Sequence, residues 1–336
     1  MTENFDSVKP LCYMGYYNNP ALLNNSSSGG AASILAETVI KQGGAVYGVI
    51  YTDDFKNAEY GRALSIDELV LFKSTKYIAS KKVVDLEGIK TPVYKLVEKD
   101  LKDGRTVLFT GLGCDIGAIK KYLQTREIDD KQLYTLDLIC HGATFPEVGK
   151  QYVEMLEKRY GSHVTAFSVR YKKYGWVPHY LRAEFENGEV FEKPFYETEY
   201  GIALSKFSQR SCYNCKFKGE KHAADVTVGD FWGYTEKMHD YNPNGVSVLF
   251  VNTVKGMSLI EKIDKERFFI KEANADLAIR NNPMYWQSRK KYKTSDVFES
   301  ILKKEGLFVA LEKTSTIREK LRKFKIYKLA KRLLRT

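Results

Sequence analysis

No stretch of this sequence is apolar for long enough to cross a bilayer, which takes about 20 residues. The opening Met1–Pro10 is polar, carries Glu3 and Asp6, and has no basic region leading into an apolar one. A secretory signal is therefore not expected, and the chain reads as cytoplasmic. Cysteine is scarce and odd in number: five residues in 336, widely spaced. Without an export signal, that pattern suits free thiols or metal ligands better than a disulfide framework. Internal repeats and low-complexity segments are also missing. What remains, with 43% hydrophobic and 28% charged residues, is an ordinary globular composition with enough apolar residues for two domains or one large one.

The formal charge of +11 is unevenly placed. Thr316–Thr336 holds nine Lys/Arg and one Glu, so the rest of the chain is close to balanced. A basic body is thereby excluded, and no nucleic-acid partner is expected. In a helix, Ile326, Leu329, Ala330, Leu333 and Leu334 would share one side and Lys328, Lys331, Arg332 and Arg335 the other. Two readings stay open for 316–336: a helix docked on the body, or peripheral contact with an anionic membrane at its inner face.

The pattern is α/β at first and antiparallel β later. Ala31–Lys41 reads as a helix closed by Gly43–Gly44, and Ala45–Tyr51 as a strand. Arg105–Thr110 reads as a strand running through Gly111 and Gly113 into a helix near 115–123. Leu133–Ile139 is a strand ending at Cys140-His141-Gly142, and Pro146–Tyr160 a helix. Val164–Tyr171, Tyr180–Phe185 and Val190–Pro194 alternate like antiparallel strands, the last two joined by an Asn187-Gly188 hairpin turn. Asp225–Asp230 and Val246–Asn252 are further strands, and a helical tail begins near Thr294. The expected fold is α/β: a mixed β-sheet flanked by helices, with an antiparallel part in the second half and a helical C-terminal tail. Three regions are expected: 1–84, 85–290 and 291–336.

Cys212-Tyr213-Asn214-Cys215 is a CxxC, whose spacing lets two thiolates face one metal. Cys114 and Cys140 each follow a predicted strand in a glycine-containing loop. In a parallel sheet both would emerge at the carboxyl edge, where ligands usually bind. Four thiolates suit a 4Fe-4S cluster or a structural zinc. Two buried cysteines beside an unrelated CxxC are the bland alternative. Cys12 stands apart and reads as a free thiol. Ser26-Ser27-Ser28-Gly29-Gly30 leads into the first helix. It offers a close backbone approach, hydroxyl donors and a helix N-terminus, a phosphate cradle for a dinucleotide. It lacks both the GK[ST] of a Walker loop and GxGxxG. A flexible linker with a serine cap remains the other reading.

Seven segments, in order, resemble a known family. Ser26–Gly30 is similar to its serine–glycine flavin loop, and Ser74–Ser80 (STKYIAS) to its "GSKYVQS". Thr110–Gly117 (TGLGCDIG) resembles "GTPCQIAG", with Gly113 and Asp115 replacing the proline and glutamine. Asp137–Gly142 matches "DLICHG", and Arg170–Trp176 (RYKKYGW) resembles "FRDKKxGW". Ser211–Phe217 (SCYNCKF) and Val228–Gly233 (VGDFWG) match two more. The family is that of the beta subunits of coenzyme F-420 hydrogenases and dehydrogenases. It includes bacterial proteins linked to polysaccharide synthesis.

The resemblance implies FAD, one 4Fe-4S cluster on Cys114, Cys140, Cys212 and Cys215, and electron transfer between them and a small-molecule substrate. Ser26, Ser27, Ser28, Gly29, Gly30, Lys76, Tyr77 and Gly111 are the expected cofactor contacts, with Lys76 on a flavin phosphate or the N1/O2 edge. His141 and Lys173 are the candidate catalytic residues. His141 would protonate substrate or hydrogen-bond the cluster loop, and Lys172, Lys173 and Trp176 would wall an anionic or sugar-like substrate. The clustered cysteines of the ferredoxin-like part found in many members are missing, which implies a separate electron donor such as a ferredoxin or a reduced deazaflavin. An electron-transfer module with no substrate of its own and a zinc-stabilised binding protein are the alternatives.

Overall fold

The computed structural model describes residues 10–316. The chain runs through β1 (Leu11–Tyr17), α1 (Pro20–Asn24), α2 (Ala31–Lys41), β2 (Ala45–Tyr51), β3 (Ala58–Ala63), β4 (Lys81–Leu86) and β5 (Ile89–Pro92). Next come α3 (Val93–Lys102), β6 (Val107–Gly111), α4 (Gly113–Thr125), β7 (Leu133–Leu138) and α5 (Pro146–Tyr160). The second half holds β8 (Val164–Tyr171), β9 (Tyr180–Phe185), β10 (Val190–Pro194), α6 (Glu199–Lys206), β11 (Val226–Asp230) and β12 (Ser247–Val251). It closes with α7 (Val254–Glu261), β13 (Phe268–Glu272), α8 (Ala275–Asn281), α9 (Ser295–Glu305) and α10 (Leu307–Thr314).

Ten strands form one mixed sheet, ordered β13-β1-β12-β11-β7-β6-β2-β3-β4-β5, and β10-β9-β8 form a small antiparallel sheet. This is the expected α/β class. The centre of the large sheet, β2-β6-β7-β11, is parallel. Strands buried on both faces need apolar residues in succession, and Val107, Leu108 and Phe109 of β6 are fully buried. Successive side chains then point to opposite faces. Val46, Leu108 and Leu136 pack with Ile34, Leu35 and Leu259 of α2 and α7. Tyr47, Val107 and Phe109 pack with Val97 of α3 and Ile116, Ile119 and Leu123 of α4. The small sheet builds a separate core with α5, α6, α9 and α10.

Buried polar groups fix the register beside the site. Asp225, just before β11, is fully buried. Its carboxylate accepts hydrogen bonds from the Thr135 amide (2.8 Å), the Thr135 hydroxyl (2.6 Å) and the Thr253 hydroxyl (2.7 Å). A buried carboxylate with three donors resists displacement, so β11 is pinned to β7 and to the start of α7.

Residues 11–17 lie between β12 and β13, so elements on both sides of position 84 share one sheet. The basic segment 317–336, with its expected amphipathic helix, lies outside the described residues. Among the described residues no helix is long and apolar enough to cross a membrane.

Candidate functional site

β6 and β7 run parallel, with Gly111 opposite Asp137. Their carboxyl ends deliver Cys114, on the first turn of α4, and Cys140 to the same edge of the sheet. Cys212 and Cys215 arrive from the loop after α6, and three contacts dock that loop on this edge. Phe217 packs flat on α4: a side-chain carbon on Gly117 would lie 2.4 Å from its ring, and one on Gly113 would lie 2.9 Å from its Cβ. The Lys218 ammonium donates to the Cys140 carbonyl (2.5 Å) and the Met284 carbonyl (2.6 Å). Gly142, at φ 93°, passes so close to Cys212 that a Cβ there would lie 3.1 Å from the Cys212 Cβ; the left-handed backbone there also favours glycine.

The thiols are in electrostatic reach of one another. Desolvation, and then the negative charge of Asp115 and the neighbouring Cys140, pushes the Cys114 thiol up to about 12. Desolvation likewise pushes Cys140 up to about 11, with Cys212 and Cys215 adding to it and the Gly142 amide and Lys218 opposing. The Gly142 amide donates to the Cys140 sulfur at 3.2 Å. Among the described residues no three His, Cys, Asp or Glu side chains close on a single point as one metal ion requires. Asp115 is buried and compensated. It pairs with Lys82 (2.7 Å) and accepts from the Leu112 amide (3.2 Å) and the Tyr60 hydroxyl (3.3 Å).

Beside this edge, the small sheet grips the serine–glycine loop. Arg170 donates through Nη2 to the Ser27 carbonyl and to Asp230, both at 2.6 Å. Trp176 donates to the same Asp230 oxygen (2.8 Å) and stacks on Trp232. Lys172 donates to the carbonyls of Leu23 (2.8 Å), Ser28 (2.7 Å) and Asn244. A cleft of about 410 Å³ opens between the end of α1, the 73–74 segment and the small sheet, lined among others by Asn25, Lys73, Ser74, Arg170, Tyr171 and Arg182. That volume lies in the range of small-molecule sites, roughly 300–1,000 Å³.

A model of the C-terminal part of the beta subunit in the coenzyme F420 hydrogenase/dehydrogenase family matches residues 104–276, just over half of the chain. The chain belongs to this family. A chain in the structure of the F420-reducing NiFe hydrogenase complex from Methanosarcina barkeri, a xenon-derivatised form, shares the fold with a TM-score of 0.54 at 19% identity. The likeness covers 84% of this chain and 93% of that one. No curated protein matches the sequence.

Of the residues singled out in this family member's sequence, Cys114, Cys140, Cys212 and Cys215 lie at one sheet edge within electrostatic reach of one another, and Cys12 is buried on β1. His141 is exposed at that edge, its carbonyl held by Arg289 (3.0 Å). Desolvation and then the Arg289 charge hold its imidazole below the ordinary value. Lys76 is buried, and its ammonium donates to the carbonyls of Leu71 (3.0 Å), Lys73 (2.7 Å) and Ser74 (3.1 Å). Burial lowers it to about 7. Tyr77, at φ 53°, stacks on Phe195, and its hydroxyl accepts from Arg170 at 3.4 Å.

The serine hydroxyls are engaged within the protein. Ser26 donates to Leu22 O and Ser28 to Val246 O, both at 2.8 Å, and Ser27 accepts from the Thr75 amide at 2.9 Å. Gly29 approaches its own sheet: a Cβ there would sit 2.1 Å from Gly15 O and 2.7 Å from Ser247 N. Gly30 caps α2 at φ 96°. Gly111 lies against Tyr60 and Asp115, on the cysteine side. Lys173 is paired with Glu192 at the rim of the small sheet and sits over Tyr174 and Tyr180. The sequence reading quoted Gly117 and Phe217 at the ends of two motifs without giving them a role, and it missed Lys218. Small residues spaced by one helical turn beside a cysteine, and an aromatic just after the CxxC, were the available signals.

Proposed function

We propose that this chain is a flavin and iron–sulfur oxidoreductase. In this reading Cys114, Cys140, Cys212 and Cys215 hold one 4Fe-4S cluster, and the cleft beside the serine–glycine loop holds FAD. Electrons pass from a separate donor to a small-molecule substrate in cell-surface sugar chemistry. The observation that supports the proposal is that cysteines from three segments, separated by up to 101 positions in the sequence, come within electrostatic reach of one another at one sheet edge.

The donor set suits the cluster. Four thiols are the usual ligands of a 4Fe-4S centre, and hydrogen bonds to sulfur tune it; here the Gly142 amide already points at Cys140. Lys218 and Arg289 supply positive charge nearby. Lys73, Arg170 and Arg182 line the cleft with Glu184; Arg170 is paired with Asp230 and Arg182 with Glu184 and Glu192, which leaves Lys73 as its lining cation without an ion pair among the described residues. With the serine hydroxyls occupied, phosphate recognition falls to backbone amides and Lys73. The domain reading follows: 1–84 supplies the flavin loop and 85–290 the cysteines.

When bound, the cluster carries single electrons and the flavin stores two. The chain's own task is to hold them near each other. His141 lies within electrostatic reach of Arg289, Asp230, Lys218 and Arg170. Held neutral near pH 7, its imidazole would relay a proton, accepting one before passing it to substrate.

Anaerobic reconstitution tests the reading. About four iron and four sulfide per chain are expected, with loss of both in Cys140→Ser or Cys212→Ser. Released flavin should be FAD. Stoichiometric zinc without iron, or no flavin bound at micromolar concentration, overturns it. Substrate-dependent reoxidation of the reduced flavin separates an enzyme from a pure electron carrier.

A further inference from the structure

The two segments that wrap the cysteine edge are basic and carry little acid. Residues 205–221 hold five Lys/Arg and one Glu, and residues 284–293 hold four Lys/Arg and no acid. They are joined. The Cys215 amide donates to the Ser288 hydroxyl (2.9 Å), and Lys218 reaches the Met284 carbonyl (2.6 Å). Gly219 lies so close to Trp286 that a Cβ would be 2.2 Å from its ring. Some of the charge is spent locally. Arg210 pairs with Glu299 at 3.0 Å and Lys291 with Asp296 at 2.7 Å. Lys216, Lys221, Lys290 and Lys293 are exposed and make no ion pair among the described residues. Beside them Tyr292 and Val297 are exposed, at 48% and 50%.

We infer that this surface is the docking site of a small acidic one-electron carrier protein. The inference rests on the cluster reading above. Exposed cations that no carboxylate neutralises leave a local positive potential, which draws in an acidic partner and raises its association rate. Exposed Tyr292 and Val297 beside these charges suit a small, weak, quickly released complex, as electron exchange requires. The location decides between partners, because Cys212 and Cys215 lie within the first segment, Lys218 holds the Cys140 carbonyl, and Ser288 accepts from the Cys215 amide. A carrier seated there brings its own metal centre close to these cysteines. The reaction is the transfer of one electron: the carrier is oxidised by one, the cluster is reduced by one, and no bond is made or broken.

The test uses the reconstituted protein and a reduced bacterial two-cluster ferredoxin as probe. Stopped-flow absorbance gives the rate of cluster reduction, and calorimetry gives the affinity. The rate should fall with ionic strength. The double variant Lys290→Glu/Lys293→Glu should lower it roughly 10- to 100-fold and weaken binding in step. Lys265→Glu, the same reversal outside both segments, should change neither. The extent of reduction by excess dithionite should be equal in all three proteins. Equal ferredoxin rates and affinities in wild type and the double variant overturn the proposal. So does a variant that loses binding of a single-stranded oligonucleotide while keeping that of ferredoxin. Failure to take up iron strikes the cluster reading instead, and salt-dependent ferredoxin binding by the apoprotein then judges the surface alone.

Discussion

Arg170 of β8 and Asp230 at the end of β11 form an ion pair of 2.6 Å that joins the small sheet to the large one. The arginine side chain is almost fully buried and the aspartate is 19% exposed. The same guanidinium nitrogen holds the Ser27 carbonyl. Removing one partner leaves the other charge stranded, at a cost of about 3–5 kcal/mol for a fully buried pair. Because Asp230 keeps some solvent, Arg170→Met should destabilise by roughly 3 kcal/mol, at the low end of that range. Urea unfolding measures this. Released flavin should fall as well, since the serine–glycine loop loses its anchor.

Two lysines without carboxylate partners give an unusual pH dependence. Burial lowers Lys76 and Lys172 from 10.5 to about 7. The unfolded chain therefore binds more protons than the folded one between about pH 7 and pH 10.5, and stability rises with pH in that window. Below pH 7 both states are protonated and the penalty is constant. Above pH 9 the buried Cys12, raised to about 12, begins to act in the opposite sense. Thermal melts should thus show Tm climbing from pH 7 to pH 9. Lys76→Met should raise Tm most at pH 7 and flatten the slope. A Tm that falls over this range in wild type removes the basis of the expectation.

The contact between Gly117 and Phe217 makes a steric prediction. A methyl group on Gly117 would meet the ring at 2.4 Å, and rigid aromatic packing does not yield that far without moving the chain. Gly117→Ala should displace the Cys212–Cys215 loop and cost about 1–3 kcal/mol. Iron content after reconstitution should drop more than far-ultraviolet circular dichroism does. Phe217→Leu combined with Gly117→Ala should recover part of the iron.

Lys173 and His141 were candidates for the same chemical role, and their surroundings separate them. Lys173 is tied to Glu192 at the protein rim, whereas His141 sits at the cysteine edge. Lys173→Gln should leave iron, flavin and turnover unchanged. His141→Gln should keep iron and flavin but lower turnover by about 100-fold, in the range of a lost general acid. Equal losses in both variants would show that this division of labour is mistaken.

Elements whose instructions are local were legible in the sequence. Ala31–Lys41, Ala45–Tyr51, Pro146–Tyr160 and the β9–β10 hairpin stand where periodicity and turn residues put them. β1 was not legible. Leu11-Cys-Tyr-Met-Gly-Tyr-Tyr17 has no clean alternation, and its partner for Leu11 is Val251, 240 positions away. β3, β4, β5 and β13 were missed for a similar reason: their short mixed sequences become strands by pairing with the sheet. The cysteine edge could be read because a strand, a glycine and a cysteine recur in sequence. The lysine cages could not. A lysine reads as a solvated charge, and what holds Lys76 and Lys172 is a set of backbone carbonyls, which leave no mark in side-chain identity.

The position of β1 bears on the order in which the protein can be made. The first strand of the sheet is flanked by β12 and β13, two of the last. During synthesis, β2, β6 and β7 can pair as soon as they leave the ribosome, while β1 must wait until residues 247–272 have emerged. The serine–glycine loop hangs from β1, with the Gly29 carbonyl bonded to the Tyr17 amide and Gly29 wedged between Gly15 and Ser247, so it takes its final shape equally late. Cys212 and Cys215 also follow Cys114 and Cys140 by many residues. A nascent or truncated chain that stops before β12 and β13 therefore presents an unfinished serine–glycine loop, and under the proposed reading cofactor loading follows completion of the sheet.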